Sequence, residues 1–516
     1  MNAPSPAVAF DEASLRAALL RFEQPCYVIR QGGQIGISHA PLSENLVAYA
    51  TPIAPENLGD SGFRHAYGLR FCYMAGAMAG GIASEALVIA LGKAGLLGSF
   101  GAAGLVPSRI EAAIHSIQAG LPQSSYAFNL IHSPNEEALE RRAVDLYLQY
   151  GIKVVEASAF LDLTPHVVRY RAQGLSVDGA GAVNIGNRVI AKLSRREVAA
   201  KFMQPPPERM LREMITAGLI SETQAALAAR VPVADDVTAE ADSGGHTDNR
   251  PLVTLLPSIL ALRDELQAKW NFPTPIRVGA GGGIGTPSAV LAALMMGAGY
   301  VVTGSVNQAV VEAGTSAHTR KLLAQADMAD VVMAPSADMF EMGVKVQLLK
   351  RGTLFPMRAQ KLYDLYREFD SWESIPAAER EKLEKQVFKR TYADIWQGTV
   401  SYFNERDPEV LHRAQGNPKR EMALVFRWYL GLSSRWSSSG EAGREMDYQI
   451  WCGPSMGAFN DWARGTYLEA PENRRAAEVA FHLMRGAAYL HRIGTLNAQG
   501  VSLPASLSRY IPEPLT

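Results

Sequence analysis

Val278-Gly279-Ala280-Gly281-Gly282-Gly283-Ile284-Gly285-Thr286-Pro287 runs from an apolar stretch straight into glycines, and Val301-Val302-Thr303-Gly304-Ser305 repeats the arrangement shortly after it. A helix-like apolar segment, residues 289–296, lies between the two. The pattern is two consecutive strand–loop–helix units, each with a Gly-bearing turn behind its strand. Glycine lets backbone N–H groups approach an anion closely, and the N-terminus of the following helix adds a favourable dipole. In a (β/α)8 barrel the loops after the seventh and eighth strands are where a phosphate sits. An ordinary left-handed turn with tight helix packing would also use glycine. The phosphate reading is preferred because the two turns fall on adjacent units, in the order such a site needs.

A dinucleotide fold is excluded first. The register G-A-G-G-G-I-G does not place glycine at the third position of G-x-G-x-x-G, and the next strand ends Thr303-Gly304-Ser305 with no acidic residue to hold a ribose. The run also lies past the middle of the chain. A single phosphate, as in a flavin mononucleotide (FMN), fits better than a dinucleotide in a Rossmann crevice.

The chain has 516 residues, too many for one ordinary core, and its 47% hydrophobic and 20% charged composition is that of a globular, enzyme-sized protein. A net charge of -1 argues against a general nucleic-acid binder. The three cysteines, Cys26, Cys72 and Cys452, are far apart, odd in number and never in a C-x-x-C. A disulfide framework and a metal site are therefore not expected, and a reducing cytoplasm is. The start, MNAPSPAVAFDEAS, lacks the basic and apolar regions of a secretory signal. Residues 94–108 are uncharged but short and Gly-rich, which reads as a buried strand and turn and not as a membrane span.

Residues 1–60 read as a small appended element, with helical spacing over 11–22, a hairpin over 26–37 and a linker over 52–62. From about residue 70, short apolar runs alternate with amphipathic segments, the α/β signature. Strands are expected at 71–79, 96–103, 126–131, 154–157, 189–193, 236–242, 276–280 and 300–304, with a helix over 136–150 and a helical insert at about 205–230. Eight strands over this length match a (β/α)8 TIM barrel, here residues 61–335. Pattern alone leaves a doubly wound sheet open, and the paired glycine turns favour the barrel. Residues 336–516 read as a helical region, with helices at 338–367, 377–403, 418–432 and 474–492. Six of the seven tryptophans lie there, which suggests a second core or a face for a dimer or another partner.

In a barrel the chemistry gathers at the C-terminal ends of the strands. Those ends carry Ala75-Gly76-Ala77-Met78, Asn129 with His132, Glu156, Lys192, and Glu240-Ala241-Asp242-Ser243-Gly244-Gly245-His246. Asn129 can bond a pyrimidine edge through both amide functions, and Lys192 can place a positive charge beside it to favour an anionic reduced flavin. The run around Ala77 and Met78 can lie flat against a ring. His246 follows two glycines, so its imidazole can project over that ring as a donor or base. A satisfied loop histidine and a surface lysine are the bland alternatives. His132, Glu156 and Asp178 are weaker candidates.

G-A-G-G-G-I-G-T-P, V-T-G-S-V-N-Q, E-A-D-S-G-G-H-T-D-N-R-P and M-A-G-A-M-A-G-G-I-A-S resemble the nitronate monooxygenase superfamily, which includes FMN enoyl reductases. Within it, M-A-P-S-A-D-M-F-E-M-G-V-K-V-Q, F-R-W-Y-L-G-L-S-S-R-W and D-Y-Q-I-W-C-G-P-S-M-G-A-F-N are similar to the PfaD family, over nearly the whole chain. The resemblance implies an FMN-bound TIM barrel. It also implies trans-acting enoyl reduction, with NADPH as hydride donor, for polyunsaturated fatty acid or trans-acyltransferase polyketide synthases. Carried over by position, Ala77, Met78, Asn129, Lys192, Gly282, Gly283, Gly304 and Ser305 would contact the flavin, and His246 stands at the active-site histidine. Oxygenase members run E-A-G-G-H, whereas Asp242-Ser243 precedes Gly-Gly here.

The partner implied is an acyl carrier protein bearing an enoyl thioester, within a polyketide or fatty acid synthase complex, with no nucleic acid and no membrane. A homodimer is a further expectation for the tryptophan-rich tail. Lys345, Lys350, Arg351, Arg358 and Lys361 form a candidate cationic dock for the carrier, against the plainer reading of a solvated helical face. The rivals are a nitronate oxygenase, which needs no NADPH, and a flavin-free scaffold protein of a synthase.

Overall fold

The computed structural model describes residues 8–132 and 137–515. An N-terminal antiparallel sheet holds β1 (Cys26–Gln31), β2 (Gln34–Ser38) and β3 (Leu46–Ala50) in the order β2-β1-β3. The hairpin read from sequence is β1–β2, and β3, which the sequence reading did not assign, pairs with β1 on its other edge.

Eight parallel strands then close into a barrel: β4 (Tyr73–Ala75), β5 (Leu97–Phe100), β6 (Ala127–Ile131), β7 (Val154–Ser158), β10 (Arg188–Leu193), β11 (Asp236–Glu240), β12 (Arg277–Gly281) and β13 (Val301–Thr303). Each falls on one of the eight expected strands. The minor hairpin β8 (Leu175–Val177) and β9 (Val183–Ile185) stands outside the barrel. Closure is made by β13 against β4, where Thr303 lies opposite Ala75. Both faces of a barrel strand are covered, so strands such as Val189-Ile190-Ala191 are apolar without alternation. The expected insert is the helix pair Glu208–Thr216 and Glu222–Ala228. The helix expected from residue 136 runs Glu137–Gln149, and residue 136 lies outside the described residues.

The N-terminal end of the barrel is plugged. Helix Ser61–Tyr67 begins at the end of the expected linker. From it Phe63 stacks on Tyr300 at 4.0 Å, and the Tyr67 hydroxyl donates to Asp236 at 2.5 Å. Arg277 holds the same buried carboxylate at 2.6 and 2.8 Å. Only the other end, where the strands terminate in glycines and polar residues, is left for a ligand. The opening stretch is legible there in full. Thr286 caps the helix Pro287–Met295 by accepting from the Ala289 N–H at 3.2 Å, and Pro287 takes the first helical position.

The tail departs from expectation in one consequential place. Residues 338–367 are not one helix. β14 (Val331–Pro335) pairs antiparallel with β15 (Lys345–Leu349), and a helix starts only at Phe355. The β-branched Val331, Val332 and Val346 favour the hairpin, Gly343 adopts a left-handed φ of 72°, and β15 gains further backbone partners from Gly245 and Trp451. Residues 377–403 are likewise split, by Lys389 at φ 57° and a new cap at Thr391. The helices Phe355–Glu368, Tyr392–Arg406 and Pro418–Ser439 surround their own core, built on Phe340, Trp372, Phe388, Phe426 and Tyr429. The last helix, Ala476–Ala498, belongs to the barrel's core instead. It packs so closely on Pro287–Met295 that a Cβ on Gly486 would lie 2.6 Å from the Pro287 ring. Its buried Arg492 reaches back to the carbonyls of Leu19, Arg21, Phe22 and Gln24, satisfying the end of helix Glu12–Leu20. Among the described residues no helix is long and apolar enough to cross a membrane.

Candidate active site at the open end of the barrel

The backbone cradle behind β12 and β13 has two kinds of glycine. Gly282 has φ 83°, and a Cβ there would lie 2.5 Å from the Ala241 carbonyl oxygen, so the neighbouring loop alone demands glycine. Gly283 and Gly304 differ, because a Cβ on either would meet nothing within 4 Å. Gly283 still needs its positive φ of 74°, but Gly304 has φ -120° and no left-handed requirement. Bare backbone beside open space, ahead of the short helix Ser305–Gln308, is what an approaching phosphate needs. Ser305 is already engaged: its Oγ accepts the Gly453 N–H at 3.0 Å.

A polar row crosses the adjoining strand ends. The buried Glu156 accepts the Ala77 N–H at 2.7 Å. Asn129 donates its amide to the Glu156 carbonyl at 3.1 Å and to Ser158 Oγ at 2.8 Å, so its orientation is fixed by β7. The Met78 carbonyl accepts the Ala83 N–H at 3.1 Å, and a Cβ on Gly101 would collide with it. Lys192 Nζ lies 2.9 Å from Glu240 Oε1. Burial works against the ammonium, but the carboxylates of Glu240 and Glu156 outweigh it and hold the lysine charged above its ordinary range.

His246 sits behind the Gly244-Gly245 turn, with Nε2 3.1 Å from Asp338 Oδ2. By distance the contact is an ion pair. The ring stacks on Trp451 with centroids 6.2 Å apart and planes 27° from parallel. Desolvation works against the imidazolium. Asp338, and Glu240 beyond it, more than compensate, so the pKa rises above 6.5.

The reason for the two glycines is a correction to the sequence reading. They do not simply free the histidine to project. A Cβ on Gly244 would lie 2.9 Å from the Cys452 and Gly453 backbone, and one on Gly245 would lie 3.0 Å from the Trp451 ring. Gly245 also exchanges backbone hydrogen bonds with Gln347 at 2.9 and 2.7 Å. The Gln347 side chain donates to Asp242 Oδ1 and to the Ser243 carbonyl, both at 2.8 Å. Asn249, at φ 50°, closes the loop on Asp242 at 2.8 Å. The histidine loop is thus held from outside the barrel, by β15 and residues 451–453.

Ala77, Met78, Asn129, Lys192, His246, Gly282, Gly283, Gly304 and Ser305 lie near the C-terminal ends of barrel strands or in the loops that follow them. Sequence reasoning passed over Glu240, Asp338, Gln347 and Trp451. Glu240 was visible as the last residue of its strand, and the others stand inside motifs quoted for the tail, but nothing local signals their partner. His132 instead pairs with Glu140 at 3.0 Å and stacks on Phe160. Asp178 caps its own turn through the Ala180 and Ala182 N–H groups, both at 2.9 Å. Of the candidate dock, Lys345 and Lys350 are exposed. Arg358 turns inward to the buried Asp447, Arg351 pairs with Asp330 at 3.0 Å, and Lys361 pairs with Glu379 at 3.2 Å. All three cysteines are free and buried.

The Nitronate monooxygenase family profile matches residues 69–363. The Fatty acid synthase subunit PfaD N-terminal domain matches residues 3–43, and the inserted helical domain of acyl-carrier-protein S-malonyltransferase matches 369–448. The chain is 48% identical over 522 residues to a polyunsaturated fatty acid synthase polypeptide of Thraustochytrium sp. (strain ATCC 26185 / S-3), covering 99% of this chain and 35% of that relative. It is 45% identical over 439 residues to Polyketide biosynthesis protein PksE of Bacillus subtilis (strain 168), covering 85% of this chain and 57% of the relative. The chain thus spans only part of both curated relatives. A solved structure of the enoyl reductase domain of MlnA, from the macrolactin biosynthesis cluster of Bacillus amyloliquefaciens, superposes with a TM-score of 0.81 at 39% identity, covering 86% of this chain and 99% of that one.

Proposed function

Because the chain belongs to the nitronate monooxygenase family, in its PfaD branch, we propose that this oxidoreductase is an FMN-dependent enoyl reductase acting in trans on acyl-carrier thioesters. The observation that carries the reading is the pairing of open, bare backbone at Gly283 and Gly304 with a charged lysine and a histidine biased toward its charged form on one rim. Gly282, Gly283, Gly304 and Ser305 would hold the phosphate. Ala77 and Met78 would line the ring, and Asn129 and Lys192 would face its polar edge. Bound FMN supplies hydride transfer from NADPH to the β-carbon of an enoyl thioester.

The residues of the chain do the rest. Lys192 keeps a positive charge at the rim, where negative charge accumulates during reduction, and Glu240 holds its ammonium in place. His246 holds a proton that can pass to the α-carbon of the substrate, or polarise the thioester oxygen. No second nucleotide site is required, since NADPH and the acyl thioester take turns in one opening. The synthase to which the chain contributes supplies the carrier protein, in the cytoplasm.

The test is spectroscopic. The purified protein is expected to be yellow and to release FMN on denaturation, and NADPH added without air is expected to bleach it. A colourless protein would support the scaffold reading. A flavin that NADPH and NADH leave oxidised, but that turns over an alkyl nitronate in air, would support the oxygenase.

A further inference from the structure

We propose that Asp338, from the loop between β14 and β15, is the positioning residue of His246, holding the ring from its Nε2 edge for proton transfer to the substrate. The inference rests on the enoyl reductase reading for its chemistry, but the pairing is a matter of geometry. Asp338 Oδ2 is 3.1 Å from Nε2, while Trp451 covers a ring face at 6.2 Å. Asp338 is itself fixed, because Ser336 and the β14–β15 hairpin carry its loop, and β15 is pinned to Gly245 through Gln347.

Two other charges face His246: Glu240 adds to the effect of Asp338, and Lys192 opposes it. Glu240 and Lys192 are 2.9 Å apart and act on His246 in opposite directions, and Asp338 raises it more than Glu240 does. Asp242, in the same loop as His246, is turned away to Asn249 and Gln347.

The chemistry needs such a residue. Once hydride has reached the β-carbon, the electron pair of the former double bond resides on the thioester enolate. The α-carbon then takes a proton from the His246 imidazolium, giving the saturated thioester and a neutral imidazole, which recovers its proton from solvent. A histidine at its ordinary pKa near 6.5 would be mostly unprotonated at neutral pH. Asp338 shifts the balance toward the acid form, and it comes from the tail and not from the barrel.

The experiment compares wild type, Asp338→Asn and Asp338→Glu as FMN-loaded full-length proteins. His246 is titrated by NMR, with its signal assigned by loss in His246→Gln. The pH dependence of enoyl-thioester-driven flavin reoxidation is followed in parallel. In Asp338→Asn the His246 midpoint is expected to fall by about one pH unit. The basic limb of the reoxidation profile, where the acid form is lost as pH rises, should move down by the same amount, and Asp338→Glu should restore both. A reoxidation rate lowered equally at all pH values, with an unmoved His246 midpoint, would make Asp338 a purely structural residue and overturn the proposal. Reduction of wild type by NADPH is recorded separately. Its absence would defeat the reductase reading, while the NMR midpoints still decide the pairing.

Discussion

At the residue scale, the site separates glycines required by the chain from glycines required by something else. Gly282, Gly244 and Gly245 are fixed by protein atoms that a Cβ would strike. Gly304 is not, since neither φ nor a neighbour excludes a side chain. We therefore expect Gly304→Val to fold, to melt near the wild-type temperature, and to purify with roughly a tenth or less of the wild-type FMN content, the scale of losing one charge-assisted hydrogen bond. Full flavin occupancy in a folded Gly304→Val would remove the phosphate from β13. Asn129 and Lys192 stood out in the sequence because each is a polar side chain near the end of an apolar strand, and His246 because two glycines precede it in the loop after β11. Asp338 and Trp451 were not legible, because their significance is a contact across more than 90 and 200 positions of chain.

At the element scale, the barrel was readable and the tail only in part. The eight barrel strands are short, apolar on both faces and separated by capped helices, so each announces itself locally. β15 does not. Lys345-Val346-Gln347-Leu348-Leu349 is a short apolar run equally compatible with a helix turn, and only its partners, β14, Gly245 and Trp451, make it a strand. The last helix is legible as a helix but not as a piece of the barrel. It buries Val479, Leu483, Met484, Tyr489, Ile493 and Leu496 in the barrel's core. At about 1.5–3 kcal/mol for each large side chain, their burial contributes on the order of 10 kcal/mol. That is comparable with the net stability of about 5–15 kcal/mol of a whole domain. A barrel truncated to residues 60–335 is accordingly expected to aggregate in size-exclusion chromatography. A monomeric, soluble and fully active barrel would show that the tail neither completes the core nor holds the histidine loop.

At the scale of the whole molecule, the open barrel end and the tail meet at one candidate site: the barrel supplies the glycine turns, Lys192 and His246, and the tail supplies Asp338, Gln347 and Trp451 around the histidine loop. The central claim is a division of labour in which the barrel rim binds the flavin that NADPH reduces and His246 serves the acyl half of the cycle. Stopped-flow absorbance without oxygen, on full-length wild type and His246→Ala, tests it most directly by following flavin bleaching with NADPH and then recolouring with crotonyl thioester. Wild type is expected to do both. His246→Ala is expected to bleach at nearly the wild-type rate and to recolour roughly a hundredfold more slowly, the scale of losing one acid–base or oxyanion group. A wild type that neither NADPH nor NADH bleaches, or a variant that slows in bleaching alone, would contradict the account.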